Sequence, residues 1–289
     1  EYGDCSLALE QDGGVHICLS EKEFADRKAQ LEILYSHQNG KFKYEMLDRK
    51  ALLDIQPGLG PDVVGGSWCP HDGHVNPLYL LRSLHNCFLT RNGQLLHDAE
   101  VFDITHEEGV FDVFSRKGQF QAPCLVLAAG LGNRKLAPLI GLKQPVRPQK
   151  GQILVTQKID KLIDVPMTLL RQTAEGSIMI GDSKEEVGFD ISSSIDIMAQ
   201  IADRARRTLP VLEKQQIIRS WAALRVMSPD GFPMYDQSES CPGGFAITCH
   251  SGVTLAAAHC FDMAADIEAG NFSVGLQSFS ERRFDVSAN

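Results

Sequence analysis

Cys124-Leu125-Val126-Leu127-Ala128-Ala129-Gly130 is an unbroken apolar run that stops at a glycine, and no other stretch constrains the fold as much. A short run with neither alternating nor helical polarity is the pattern of a strand covered on both faces, as in a sheet flanked by helices. A second such run, Phe245-Ala246-Ile247-Thr248, leads straight into Val253, Ala256, Ala257, Cys260, Phe261, Ala264 and Ile267, a stripe at helical spacing. Ser251 reads as the front cap of that helix and Gly270 as its back cap.

Three further helices are signalled. Ser20-Glu21-Lys22-Glu23 is a capping box, followed by Phe24, Leu31, Leu34 and Tyr35 at helical spacing until Gly40. Asn76-Pro77 is an N-cap with proline at the first helical position, before Leu81, Leu84 and Phe88. Met198, Ile201, Ala202, Ala205 and Leu209 form another stripe, ended by Pro210. By contrast, Gln152 to Thr156, Met167 to Gln172, Ser177 to Ile180 and Gln216 to Ala222 read as a meander, with Ala174-Glu175-Gly176 as a hairpin turn. Helix-and-buried-strand segments therefore alternate with antiparallel ones. The expected division is 71–143 with 227–289 in one domain and 1–70 with 144–226 in another, an α/β chain with two interleaved domains.

Charge excludes some functions. With 28 Lys and Arg against 37 Asp and Glu, the net charge is −9. Neither a nucleic-acid phosphate footprint nor a polybasic membrane surface fits that balance. The longest run without charged residues, Ser240 to Phe261, is interrupted by Pro242-Gly243-Gly244 and His250-Ser251-Gly252, so no membrane span is expected. Eight scattered cysteines without a C-x-x-C pair suggest reduced thiols and a cytoplasmic location. The polar start Glu1-Tyr2-Gly3-Asp4 does not look like a signal peptide.

Candidate chemistry is sparse. His71 and His74 in Cys69-Pro70-His71-Asp72-Gly73-His74 lack a second ligand cluster, so a polar turn is the expectation and no metal site is assigned. Cys249-His250-Ser251-Gly252 lacks the G-x-S-x-G elbow of a serine hydrolase. Its place between a buried strand and a helix aims backbone N–H groups at the strand's carboxyl end, a site for an electron-rich ligand. An ordinary strand–helix turn explains the same residues. Arg225 ends the segment Ser220-Trp221-Ala222-Ala223-Leu224-Arg225, where a guanidinium fork suits bidentate carboxylate recognition; the bland alternative is a solvated strand end. No G-x-G-x-x-G occurs in the 289 residues.

Taken in order, these segments resemble the D-amino-acid-oxidase-like family of FAD-dependent amine oxidoreductases. The matching pieces are Asp72-Gly73-His74-Val75-Asn76-Pro77, Leu127-Ala128-Ala129-Gly130, Pro148-Gln149-Lys150-Gly151-Gln152 and Gly176-Ser177-Ile178-Met179-Ile180-Gly181. Trp221-Ala222-Ala223-Leu224-Arg225, Pro229-Asp230-Gly231-Phe232-Pro233, Cys249-His250-Ser251-Gly252 and Arg282-Arg283-Phe284 complete the series. Cys249-His250-Ser251-Gly252-Val253-Thr254-Leu255 looks most like the flavin subunits of bacterial hydrogen cyanide synthase, opine oxidase and hydroxyproline dehydrogenase complexes.

The resemblance implies FAD as cofactor, a small amino acid or amine as substrate, and partner subunits of an oxidoreductase complex. It implies a Rossmann-like FAD-binding domain interleaved with an antiparallel-sheet substrate domain. Family members begin with a nucleotide-binding βαβ unit whose first strand and helix are joined by G-x-G-x-x-G, and without that motif in these residues the FAD domain is expected to be incomplete. The resemblance places Val101, Ala129 and Gly130 beside the dinucleotide, and Thr248, Cys249, His250, Ser251, Gly252, Val253 and Thr254 along the isoalloxazine ring. Arg225 matches a substrate-carboxylate arginine, His250 a second basic position, and Arg171 a third. The implied reaction is hydride transfer from the Cα–H of a neutral amine, with no catalytic base assigned. Two readings stay open: an active dehydrogenase or oxidase, and a catalytically silent fragment that folds without FAD. The missing strand neighbours lead to the expectation of an open apolar face or edge.

Overall fold

The computed structural model describes residues 8–181 and 183–285. Cys5, the residues of the polar start and the last four residues of the expected 227–289 segment lie outside them. In chain order the elements are β1 (Gly14–Cys18), α1 (Glu21–His37), β2 (Glu45–Asp48), α2 (Arg49–Ile55), β3 (Gly65–Cys69) and α3 (Pro77–Thr90). Next come β4 (Val101–Glu107), β5 (Val110–Ser115), β6 (Gly118–Ala122), β7 (Leu125–Leu127), α4 (Asn133–Leu136), β8 (Arg147–Lys158), β9 (Leu170–Gln172) and β10 (Ser177–Ile180). The last are α5 (Ile195–Thr208), β11 (Ile217–Met227), β12 (Met234–Gln237), β13 (Gly244–Thr248), α6 (Ala256–Ala258) and α7 (Ala264–Glu268).

Two compact units interleave. The first comprises residues 1–95, 151–184 and 191–223; the second comprises 96–150, 185–190 and 224–289. Residues 71–95, with α3, group with the first unit, unlike the sequence-based division. That division grouped α3 with the other helix-and-buried-strand segments, but hydrogen bonds anchor its start within the first unit. Glu10 and His74 exchange main-chain bonds, and the Tyr79 hydroxyl donates to Glu175 at 2.8 Å.

In the first unit, β1, β3 and β2 form an antiparallel sheet in the order β1-β3-β2. A second sheet runs β11-β8-β10-β9, with β8, β10 and β9 antiparallel, matching the expected meander. Gly176 turns the β9–β10 hairpin at φ +98°, where a Cβ would lie 2.8 Å from the Ile159 carbonyl oxygen. Ser20 caps α1 as expected by accepting from the Glu23 N–H, while the Glu23 carboxylate reaches one residue past the box position and accepts from the Leu19 N–H at 2.8 Å. Asn76 caps α3 by accepting from the Leu78 and Tyr79 N–H groups. Between the sheets, Leu52, Leu170, Ile178 and Leu209 are buried, and α5 presents Ile201 and Ala205 to them.

The second unit holds the antiparallel meander β4-β5-β6 and a three-stranded sheet in the order β12-β13-β7. β13 pairs with β7 in parallel, Gly244 opposite Leu125 and Ala246 opposite Leu127, as the two apolar runs predict. Its core is smaller, built on Phe111, Leu127, Ile140 and Ala246.

Three expectations need correcting here. The run 124–130 is strand only over Leu125–Leu127, lies at a sheet edge, and is not covered on both faces, since Val126 is 39% exposed. The helix after β13 begins at Ala256, not 252, and passes through a π-helical turn at His259–Met263 between α6 and α7. Ser251 does not cap it. Ser251 sits at φ +61° and shares its hydroxyl with His250 Nδ1 at 2.8 Å, so its oxygen is diverted from the helix N–H groups. The stripe itself is largely solvent-facing: Val253 and Phe261 are 58% and 79% exposed, and the buried residue of this run is Met263, outside the stripe. An open apolar face accompanies the edge strand, as the resemblance led one to expect. The helix does end at Gly270, with φ +81°.

Candidate active site

In the second unit, two parallel strands end side by side, and ligands of open α/β sheets bind at such carboxyl ends. A single buried side chain ties the two ends together. Asn133, the first residue of α4, donates through Nδ2 to the Leu127 carbonyl (3.0 Å), the Ile247 carbonyl (3.2 Å) and Thr248 Oγ1 (2.8 Å). Its Oδ1 accepts from the Ala129 N–H at 3.0 Å. The amide thereby fixes Ala129 and Thr248, both read from sequence as flavin-facing. Gly130 follows at φ +56°, and a Cβ there would come within 3.2 Å of Val226 Cγ2. A side chain would be strained there and would crowd the end of β11.

Beyond Thr248 the chain runs exposed through Ser251 to Thr254. Among the described residues, the backbone N–H groups of His250 to Thr254 find no acceptor. Left-handed Ser251 turns the chain at the head of this run. Successive N–H groups left open make a concavity for partial negative charge. Cys249 is half-buried, and burial pushes its thiol pKa up. On β12 the Tyr235 hydroxyl meets His259 Nε2 at 2.8 Å; burial, with Cys249 nearby, pushes the phenol up to about 12.

Arg225 lies on β11, half-buried, and its Nη1 donates to the Lys150 carbonyl at 3.4 Å. Lys150 is buried with its ammonium 2.8 Å from Asp190 and 3.4 Å from Glu185. Its hydrogen bond to Asp190 raises the Lys150 pKa and keeps it charged. Thus the strand that carries Arg225 is backed by a paired cation. The turn after it, Pro229-Asp230-Gly231-Phe232-Pro233, is clasped by Arg283, whose Nε and Nη2 bind Asp230 at 2.8 and 2.9 Å. Two of the sequence segments that carried the family resemblance therefore meet in space. Val101 opens β4 opposite Ser115, beside a register shift before Asp103.

The structure thus gathers Val101, Ala129, Gly130, Arg225 and Thr248 to Thr254 into one unit and places Arg171 in the other. On β9, Arg171 pairs with Met179, and its Nη2 is 2.8 Å from the Met179 sulfur. Burial lowers its pKa from the usual arginine value. Among the described residues no group of three or more His, Cys, Asp or Glu side chains could hold a metal ion. His74 instead lies 3.3 Å from Glu10. Sequence reading missed Asn133, Lys150 and the Asp230–Arg283 clasp. A polar residue just after the glycine turn of an apolar strand was the available signal for Asn133. Nothing in the local pattern marks Lys150 as buried.

The open N–H run, the side-chain-free turn at Gly130 and the adjoining strand ends fit the electron-rich edge of an isoalloxazine ring. A family model described as FAD dependent oxidoreductase matches residues 3–265. One of the opine oxidase subunits of Agrobacterium tumefaciens (strain Ach5) is 42% identical over 279 residues, covering 96% of this chain and 75% of that protein. The corresponding opine oxidase subunit of Rhizobium meliloti is 41% identical over 97% of this chain and 76% of its own length. Among solved structures, glycine oxidase from Geobacillus kaustophilus superposes with a TM-score of 0.87 at 21% identity, covering 96% of this chain and 76% of that one.

Proposed function

The chain belongs to the FAD-dependent oxidoreductase family, and we propose that it oxidises the C–N bond of an amino acid or secondary amine as the flavin subunit of a complex. Bound FAD supplies the two-electron acceptor for the substrate's Cα–H hydride. The chain's own residues bind and orient. Arg225 is the carboxylate anchor: a half-buried guanidinium on a strand, next to a buried charged lysine, is held in a fixed direction. The N–H groups of Gly252, Val253 and Thr254 would hold the electron-rich edge of a bound flavin ring and would favour negative charge there. His250, tethered to Ser251, supplies a second polar contact at that edge. No side chain is assigned as a base.

The observation that carries the reading is the open N–H run at the end of β13, with Arg225 in the same unit. Similarity to a subunit of opine oxidase and a subunit of hydrogen cyanide synthase supports assembly with partner chains. No helix among the described residues is long and apolar enough to cross a membrane. Cytoplasmic placement is part of the proposal and fits seven described cysteines that are all free.

The test is purification with any native partner chains, flavin absorbance, and dye reduction with amino acids and N-alkyl amino acids. Arg225→Lys should raise the apparent substrate constant steeply while flavin stays bound. Loss of a bidentate carboxylate contact costs on the order of 2–5 kcal/mol when the partner charge stays buried. Flavin reduction by an amino acid with unchanged kinetics in Arg225→Lys would remove the carboxylate role.

A further inference from the structure

A cavity of about 490 Å³ opens in the first unit and is lined by residues of that unit alone. Its volume is that of a site for a small organic molecule. None of the flavin or substrate candidates lines it. It is held open by a rigid support. The buried Gln172 amide accepts from the Leu162 and Ile163 N–H groups and donates to the carbonyls of Ile159, Asp160 and Gly176. The 159–163 loop and the β9–β10 turn are thereby fixed around the space.

Three carboxylates line the cavity, those of Glu10, Asp164 and Glu175, against one lysine, Lys161. Lys161 is 3.7 Å from Asp164, which leaves two carboxylates in excess. Glu10 is fixed by reciprocal main-chain bonds with His74, at 2.9 and 2.8 Å. Its carboxylate lies 3.3 Å from Nε2 of the His74 ring, whose other nitrogen is Nδ1. That Nδ1 is buried and has no partner among the described residues. Glu175 accepts from the Tyr79 hydroxyl, which keeps its carboxylate ionised and in place. Ile163 and Val165 add apolar wall.

We propose that this cavity is a second binding site, for a small organic cation: an ammonium or guanidinium group on a short aliphatic body. Acceptors in excess of donors select an N–H-rich cation, and the aliphatic wall selects its carbon chain. A carboxylate ligand would meet like charge.

Titration calorimetry on the full chain, with cadaverine as the probe and glutarate and pentanediol as controls, tests it. Saturable, salt-sensitive cadaverine binding is expected, with neither control bound. Glu10→Gln with Glu175→Gln should weaken it about tenfold, the worth of charged hydrogen bonds. Lys161→Ala should tighten it, an effect that loss of structure cannot mimic. Arg225→Lys, in the other unit, should leave it unchanged. Absent saturation, equal binding of pentanediol, insensitivity to the glutamate pair, or loss of binding in Arg225→Lys would each overturn the proposal.

Discussion

Helix α5 and the helical run from Ala256 to Glu268 carry the same kind of sequence and end in opposite states. Both set apolar residues at helical spacing. In α5 the stripe is covered: Ile201 and Ala205 are 7% and 1% exposed, against the sheet strands of the first unit. In the later run only Met263 is buried, Phe261 stands in solvent, and the backbone loosens into a π turn. Periodicity therefore states which face of a helix needs cover, not whether cover is present. The strands show the same contrast. Ile178 on β10 has neighbours on both sides, whereas β7 is an edge strand with Val126 open.

The strongest test of this contrast is a pair of truncations. Leu209→Ala removes a fully buried side chain and should cost about 2–5 kcal/mol of unfolding free energy. Phe261→Ala should change stability by no more than about 0.5 kcal/mol, as for an exposed site, while reducing binding of a hydrophobic dye. Urea midpoints read both. A Phe261 cost matching that of Leu209 would mean that the stripe is covered in solution.

Much of the frame was legible because it rests on local rules. The Ser20 cap, Asn76-Pro77 and the Gly176 turn follow from short-range patterns, and the pairing of the two apolar runs from their shared composition. The Ser251 cap failed because a hydroxyl has several possible partners, and the neighbouring imidazole took it. Asn133 was not legible as a tie because two of its four partners, Ile247 and Thr248, lie far along the chain and become neighbours only when the strands pair. Lys150 was hidden for the same reason: its acidic partners arrive from residues 185–190.

The Asn133 tie gives the next effect. Asn133→Ala leaves two carbonyls, one hydroxyl and one N–H without their partner, at about 1–3 kcal/mol for a buried unsatisfied group. Thr248→Val removes one acceptor and should cost less. In the holoenzyme, Asn133→Ala should also weaken FAD retention, because Ala129 and Thr248 lose their shared anchor; unchanged retention would leave Asn133 a purely structural residue.

The smallest effect sets two carboxylates of the second unit against each other. Arg283 holds Asp230 down to about 2, below the ordinary value of 3.8. A depressed folded pKa gives stability that is present above the unfolded value and lost as pH falls from about 4 to about 2. Asp230 is 35% exposed at its side chain, so solvent screening limits the contribution to about 1 kcal/mol. Asp236 has the opposite sign. Burial raises its pKa, although the Ser280 hydroxyl, the Glu281 N–H and the Gln144 amide all donate to it. A raised folded pKa gives stability that is present below the unfolded value and lost as pH rises through the folded one. Asparagine mimics the protonated acid and cannot ionise. Relative to wild type, Asp236→Asn should therefore gain stability as pH rises from the acid side toward neutrality. Asp230→Asn should instead lose stability relative to wild type as pH rises from about 2 to about 4. Urea midpoints from about pH 2 to neutrality, taken as differences from wild type, cancel the other carboxylates. Two difference curves of the same sign would show that the Arg283 clasp and the burial of Asp236 do not act as the geometry requires.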